Sequence, residues 1–180
     1  ISASGNVYAQ TGSFTQLTIP QDSSAANPTL NFGDGNSANV NLVMTAYNPA
    51  EGYWFGEAII THKYASARNF TSSFGNCCRI SSLSNNANTS WYNSSVVNVG
   101  SGNNSPVATL PAVINVQQGF SAATFQLPAS DPDGDVLTYR VANPGEAGSG
   151  NSNPPGLSIN SSTGVVSYNT KSKNIGALYS

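Results

Sequence analysis

The sequence predicts an all-β protein built as two β-sandwich modules in tandem, with a strand-like arm at the N-terminus. No window of the 180 residues keeps apolar residues at positions i, i+3, i+4 and i+7, which an amphipathic helix requires. The 17 glycines and 10 prolines recur every few residues and interrupt any longer periodic run. Short alternating or β-branched segments lie between these turn residues, and this arrangement is typical of sandwich domains.

The first half contains several segments with strand character. Residues 6–20 carry spaced apolar positions, residues 40–46 alternate apolar and polar side chains, and residues 53–64 form the longest strand-like run. Residues 65–95 are less regular, and residues 96–99 supply a closing strand. The following Gly-Ser-Gly-Asn-Asn-Ser stretch has the composition of a linker. We therefore predict an arm at residues 1–20, a first sandwich at 21–104 and a second sandwich at 105–180.

The second half has more evenly spaced strand candidates. They lie at residues 113–116, 123–127, 136–141, 157–159, 165–168 and 177–179. A sandwich of this kind needs about seven strands. We therefore expect the second module to lack its last strand or strands and to present an unpaired sheet edge.

Composition and charge exclude several classes of partner. Charged residues make up only 8% of the chain, against an ordinary share of roughly 25%, and the net charge is −2. Asn, Ser and Thr carry the polarity instead. We therefore expect no nucleic-acid partner, and no stretch approaches the ~18 apolar residues of a membrane span. No signal peptide is recognisable at the start of the sequence, so we expect a mature or trimmed extracellular product.

Two sets of motifs resemble known extracellular modules. The sequences ASDPDGDVLTY at 129–139, PPGLSI at 154–159 and TGVVSY at 163–168 are similar to cadherin-like, Ig-like modules over residues 106–180. The sequences FGDG at 32–35 and HKY at 62–64 resemble a PKD repeat. These resemblances imply two immunoglobulin-like sandwiches, a role in adhesion, spacing or fibre formation, and no enzymatic activity.

Residues that could support catalysis lack a supporting motif. His62 is the only histidine, no serine lies in a nucleophile elbow, and the PKD resemblance implies that His62 is a structural strand residue. Glu51 and Glu57 could be imagined as a glycosidase pair, but no motif accompanies them. We therefore expect that the protein is not an enzyme.

Asp131, Asp133 and Asp135 form the densest acidic cluster in the sequence. Their spacing could supply three oxygens to a calcium ion. An EF-hand would need a glutamate where Ala142 stands, and aspartates in such a turn also bond to their own backbone. Calcium binding and turn formation both remain open for this loop.

The two cysteines, Cys77 and Cys78, are neighbours and offer neither metal-ligand spacing nor a CxxC motif. They could be buried small hydrophobic residues, a vicinal disulfide or an inter-chain pair. Five sequons, at Asn69, Asn88, Asn93, Asn103 and Asn160, are candidates for N-linked glycans, and O-linked glycans would also suit such a surface.

Four aromatic residues, Trp54, Phe55, Trp91 and Tyr92, could form a platform for sugars, although packing in a core or an interface is the more frequent role of such residues. The leading functional prediction is a structural subunit of an extracellular fibre or surface appendage. Its N-terminal strand would complete the open second module of the next copy, head to tail. The alternative is an adhesion or carbohydrate-binding module of a larger cell-surface protein.

Overall fold

The described residues form antiparallel β-sheets. The computed structural model describes residues 17–18, 29–40, 43–50, 53–111, 113–148 and 150–180. No α-helix occurs in these ranges, where the helical structure is a single 3₁₀ turn at Pro144–Glu146. The all-β prediction is therefore confirmed. The described strands are β1 (Leu17–Thr18), β2 (Thr29–Asn31), β3 (Ser37–Asn39), β4 (Val43–Asn48), β5 (Tyr53–Glu57), β6 (Asn69–Asn76), β7 (Trp91–Asn98), β8 (Val107–Ala108), β9 (Ala123–Gln126), β10 (Ala129–Ser130), β11 (Leu157–Ile159) and β12 (Val165–Tyr168).

The described residues of the first half form two sheets. One has the strand order β1-β4-β5 and the other β3-β2-β6-β7. The longest described ladder joins β6 and β7, in register from Asn69↔Asn98 to Asn76↔Trp91. Phe70, which is buried, lies opposite Val97 on one face of this pair. Successive side chains alternate between the faces, so Tyr92 lies on the other face of the sheet.

An aromatic stack fills the space beside this sheet. The rings of Phe32 and His62 stack with their centroids 3.9 Å apart, and those of Tyr64 and Phe70 stack at 4.3 Å. The Tyr64 hydroxyl donates to the carbonyl of Phe32 at 3.0 Å. Phe32 and Phe70 are the buried apolar residues of the first half among those described. The HKY sequence therefore contributes side chains to packing.

The strand predictions for the first half were wrong in two places. The run predicted from residue 53 to residue 64 ends as a strand at Glu57, because His62 and Tyr64 pack through their rings and belong to no ladder. The stretch described as irregular, 65–95, instead contains β6 and the start of β7. The alternation is hard to recognise in the sequence because the small polar residues Thr71, Ser72 and Ser73 separate Phe70 from Phe74.

The second half contains a sheet of order β11-β12-β9 and the pair β8-β10. Val166 and Tyr168 of the central strand are its buried apolar residues among those described. Strands β11 and β12 occupy the predicted residues. The predicted strands at 113–116, 136–141 and 177–179 are absent: Val136 is 93% exposed, and Leu178 makes an isolated parallel bridge with Leu83. A strand requires a ladder of several consecutive residue pairs. In the described part of the chain these segments form no such ladder, and the bridge at Leu178 is a single pair.

Within the described ranges, no helix reaches the length and hydropathy that a membrane crossing requires.

Candidate functional site

The loop between β6 and β7, residues 77–90, connects the two halves of the chain through hydrogen bonds. Asn151, in the second half, is only 5% exposed. Its Nδ2 donates to the carbonyls of Ser90 (3.0 Å) and Ala147 (2.8 Å), and its Oδ1 accepts the Thr89 hydroxyl at 2.7 Å. Because both ends of the buried amide are bonded, its burial carries little penalty and its orientation is defined.

Arg79 adds a cation to this contact. Its guanidinium donates to the carbonyl of Ser90 and, at 2.9 Å, to that of Ala147. Desolvation lowers the pKa of Arg79. The backbone N–H of Tyr92 also donates to Ala147, at 3.0 Å, so this carbonyl accepts donors from both halves.

Two neighbouring asparagines hold the other side of the contact. The side-chain amides of Asn85 and Asn86 each donate to the carbonyls of Ser152 and Ser180. In return, the Ser152 N–H donates to Asn86 at 2.8 Å and the Ser180 N–H donates to Asn85 at 2.9 Å. We call this set of contacts, between residues 77–90 and residues 147–152 and 178–180, the junction.

The junction requires a glycine at position 148. Gly148 has φ +128°, and a Cβ built on it would lie 2.3 Å from the carbonyl oxygen of Ser90. A larger residue would therefore push the two halves apart at this point.

An open groove of about 520 Å³ lies beside the junction. Its first-half lining comes from β2, β6 and β7 and includes Asn31, Ser73, Gly75 and Tyr92. Gly145 and Gly148 line it from the second half. None of the lining residues in the described part of the chain carries a charge. The groove is therefore a neutral, polar and aromatic surface to which both halves contribute.

The structure separates the four aromatic residues proposed as a platform. Trp91 and Tyr92 line the groove, and the Trp91 ring also meets the ring of Phe74 edge to face at 5.0 Å. Trp54 and Phe55 lie in β5, which belongs to the other sheet of the first half.

Cys77 and Cys78 are joined to each other as a vicinal disulfide at the start of the junction loop, and Cys77 lines the groove. The candidate glycosylation residues Asn69, Asn88, Asn93, Asn103 and Asn160 are all exposed. Their modification stays a prediction.

Two of the three aspartates of the predicted calcium loop, Asp131 and Asp133, accept hydrogen bonds from nearby protein donors. Asp131 Oδ1 accepts the backbone N–H groups of Asp133 (2.8 Å) and Asp135 (3.3 Å). Asp133 accepts the backbone and side-chain N–H groups of Asn104 at 2.5 and 3.0 Å, and the backbone bond lowers its pKa. Within the described ranges, no three His, Cys, Asp or Glu residues are grouped closely enough to hold a metal ion. Calcium at this loop remains a prediction.

His62 is part of the first-half packing. Its Nε2 bonds to Asp34 Oδ2 at 2.8 Å, and both side chains are mostly buried, at 17% and 11% exposure. The hydrogen bond with His62 is the main reason why the pKa of Asp34 falls to about 2. Glu57 lies exposed on β5, and Glu51 is outside the described residues. This geometry gives His62 and Asp34 a structural role.

Comparison with known proteins assigns both halves of the chain. Residues 4–100 match a family model described as "Integrin beta-like protein A-E, N-terminal". The chain belongs to this integrin beta-like family. Residues 105–178 match the family model "Putative Ig domain". The Ig-like prediction for the second half is thereby confirmed, whereas the cadherin-like and PKD-like details stay predictions.

Relatives of this integrin beta-like segment come from Dictyostelium discoideum. The chain is 38% identical to integrin beta-like protein A over 154 residues, which is 77% of this chain and 8% of the relative. It is 32% identical to integrin beta-like protein E over 151 residues, which is 78% of this chain and 8% of the relative. The chain thus spans about 8% of the length of these two relatives. No solved structure matches it.

The junction was not predicted from the sequence. Arg79, Asn85, Asn86 and Asn151 were not among the candidate site residues. One signal was present: Arg79 is the only cation between Arg68 and Arg140 in a chain with six in all. The asparagines gave no such signal, because Asn and Ser are abundant throughout the sequence.

Proposed function

We propose that this chain is a non-catalytic recognition module of an extracellular adhesion protein and that it presents the junction groove to a ligand outside the cell. The observation that carries the proposal is the groove itself, which both halves line next to their hydrogen-bonded contact. A binding surface shared by two sandwich-like halves is a common arrangement for recognition, because ligand sites form preferentially where domains meet.

Two further features support an extracellular role, and a third supports a role without catalysis. The names of the relatives describe them as integrin beta-like, which fits an adhesion protein. The Cys77–Cys78 disulfide suits an oxidising compartment. The only histidine is paired with Asp34 within the packed first half and is therefore poorly placed for acid–base catalysis.

The junction explains how such a module could present its ligand in a defined orientation. A contact made by one or two exposed side chains would allow the halves to rotate, since surface interactions contribute little each. Here the buried Asn151 amide, the Arg79 guanidinium and the paired Asn85 and Asn86 amides act together. We expect this set to hold the groove in one shape.

Adhesion can be tested with polystyrene beads that carry the 180-residue chain. We expect these beads to attach under gentle flow to at least one of a panel of whole cells with differing surface coats, and the soluble chain to compete for attachment. Beads carrying serum albumin provide the control. Attachment no better than the albumin control, across cells with differing surface coats, would refute the adhesion proposal.

Head-to-tail self-association is the second proposal. Within the described ranges, β9 and β11 form the two edges of the second-half sheet, and an edge can accept a strand from another copy. Of the predicted donor arm, however, the structure describes only Leu17–Thr18, which pair with Val43 and Met44 of the same chain. The rest of the arm lies outside the described residues.

A further inference from the structure

We propose that the junction groove binds a neutral carbohydrate, with one sugar ring stacked on Tyr92. This inference rests on the proposed recognition function and names the chemical class of its ligand. It needs three properties of the groove: an aromatic face that is open to solvent, oriented hydrogen-bonding groups beside it, and no charge.

Tyr92 supplies the aromatic face. It pairs with Gly75 across the β6–β7 ladder, and its Cδ2 atom lies 3.1 Å from the place that a Cβ of Gly75 would occupy. The ring therefore lies over the glycine, in space that any other residue would fill. Tyr92 is 39% exposed and lines the groove. The ring thus packs on the sheet while part of the residue stays open to solvent, where the C–H groups of a sugar could stack.

Neighbouring strands supply polar groups on the same face. Asn31 of β2 pairs with Ser73 of β6, which lies two residues before Gly75. Side chains two residues apart share a face, so Asn31, Ser73 and Tyr92 lie on one surface. Asn31 and Tyr92 are two strand spacings of about 4.8 Å apart across the sheet and two residues apart along it, which separates them by roughly 12 Å, a distance that an oligosaccharide can span.

One amide on this face is already oriented. Asn31 Oδ1 accepts the Gly33 N–H at 2.8 Å. Asn31 lines the groove, and its Nδ2 donor has no acceptor among the described residues. Fixed donors bind a hydroxyl with less loss of conformational entropy than mobile ones.

The absence of charge selects among ligands. Among the described lining residues none is acidic or basic, and the nearby Arg79 guanidinium already donates to the carbonyls of Ser90 and Ala147, so a phosphate, a sialylated glycan or a charged peptide would lose hydration without gaining an ion pair from the lining. A neutral sugar combines apolar C–H faces with hydroxyl groups. It therefore matches an uncharged lining of amides, hydroxyls and an aromatic ring.

The structure also suggests how to block the groove without disturbing the fold. Gly145 lines the groove from the second half, and a Cβ placed on it would meet no atom within 4 Å. Its φ lies outside the left-handed region that favours glycine. A Gly145→Tyr substitution should therefore place a ring in the groove with little strain.

The test measures binding of the 180-residue chain to an array of neutral hexose and N-acetylhexosamine oligosaccharides, with sialylated glycans as acidic probes. We expect binding to at least one neutral oligosaccharide. Tyr92→Ala should weaken it by about tenfold or more, as loss of a central aromatic contact does. Gly145→Tyr should also reduce it, whereas Tyr92→Phe should bind within about threefold of the wild type because the ring remains.

Val96→Ala is the matched control. Val96 lies on the same face of β7 as Tyr92, is 61% exposed and does not line the groove, so this variant should bind like the wild type. Thermal unfolding of each variant would show that the fold is retained.

Failure of this inference can be distinguished from failure of the adhesion proposal. If coated beads attach but the chain binds no neutral sugar, or binds acidic glycans alone, the carbohydrate inference is overturned and the adhesion proposal stands. A peptide would then be the next ligand to test. Sugar binding that Tyr92→Ala leaves unchanged would also overturn the assignment to this groove. Binding to neutral sugar without bead attachment would support the inference and refute adhesion.

Discussion

At the residue scale, the turn after β2 shows how one position controls packing between strands. Gly33 has φ +82°, and a Cβ on it would lie 2.4 Å from the carbonyl oxygen of Thr71 in β6. Asn31 Oδ1 accepts its N–H, and Asp34 Oδ1 accepts the N–H of Asn36 at 3.0 Å. The FGDG sequence therefore forms a turn that approaches β6 closely enough to require a residue without a side chain.

We expect Gly33→Ala to reduce the free energy of unfolding by about 2 kcal/mol or more, since it combines an unfavourable backbone conformation with a backbone clash. Gly35→Ala is the matched control: Gly35 has φ +94°, but a Cβ there would meet nothing within 4 Å. This variant should lose only the roughly 1 kcal/mol that the backbone conformation costs. Urea unfolding of both proteins provides the measurement, and equal losses would disprove the clash.

At the scale of elements, the loop between β6 and β7 links the halves through residues far apart in the sequence. Thr89 and Asn151 are separated by 62 positions, and Asn85 and Ser180 by 95. The loop begins with the Cys77–Cys78 disulfide and ends where Trp91 enters β7. The position of the loop backbone determines where Tyr92 lies relative to Gly145 and Gly148. It therefore also determines the width of the groove.

Asn151→Ala should destabilise the junction by about 1–3 kcal/mol, because it removes three hydrogen bonds from a buried site. Hydrogen exchange should then accelerate at the Tyr92 N–H, which bonds to Ala147 across the junction. Asn153→Ala provides the comparison, since exposed Asn153 bonds to Ala142 within the second half. Unchanged exchange at Tyr92 in Asn151→Ala would show that Asn151 does not hold the junction.

At the scale of the whole molecule, the open question is whether copies associate. The edges of β9 and β11 are available for strand addition in the described part of the chain, but Leu17–Thr18 of the arm already pair with β4. To donate a strand to another copy, the arm would have to break the pairing between Leu17–Thr18 and β4, or use the residues that precede Leu17.

We expect head-to-tail association to produce species larger than 18.6 kDa in sedimentation velocity experiments, with their share rising as concentration increases. A chain shortened by residues 1–16, which retains Leu17–Thr18, should then sediment as the monomer because it lacks the donor segment. Monomers of the full chain at every concentration tested would refute the fibre hypothesis and leave the adhesion proposal in place.

The fold was more predictable than the site. Gly and Pro spacing predicted β-structure, and the ASDPDGDVLTY, PPGLSI and TGVVSY motifs predicted the Ig-like second half. Strands β11 and β12 also occupy the predicted residues, since their apolar side chains alternate between clear turns. The segments 113–116 and 136–141 have similar alternation but no ladder partner, and pairing is decided by the arrangement of strands rather than by local pattern.

The amino-acid sequence alone determined that this protein is built of β-strands, that its surface is nearly uncharged and that Trp91 and Tyr92 are candidate binding residues. These properties depend on composition and local periodicity. Only the tertiary structure decided that Tyr92 lies over Gly75, that Arg79 and Asn151 join the halves, and that Trp54 and Phe55 belong to another sheet. Such contacts join segments that are remote in the chain, and neutral Asn and Ser side chains leave no local pattern that distinguishes a buried hydrogen-bonding partner from a solvated one.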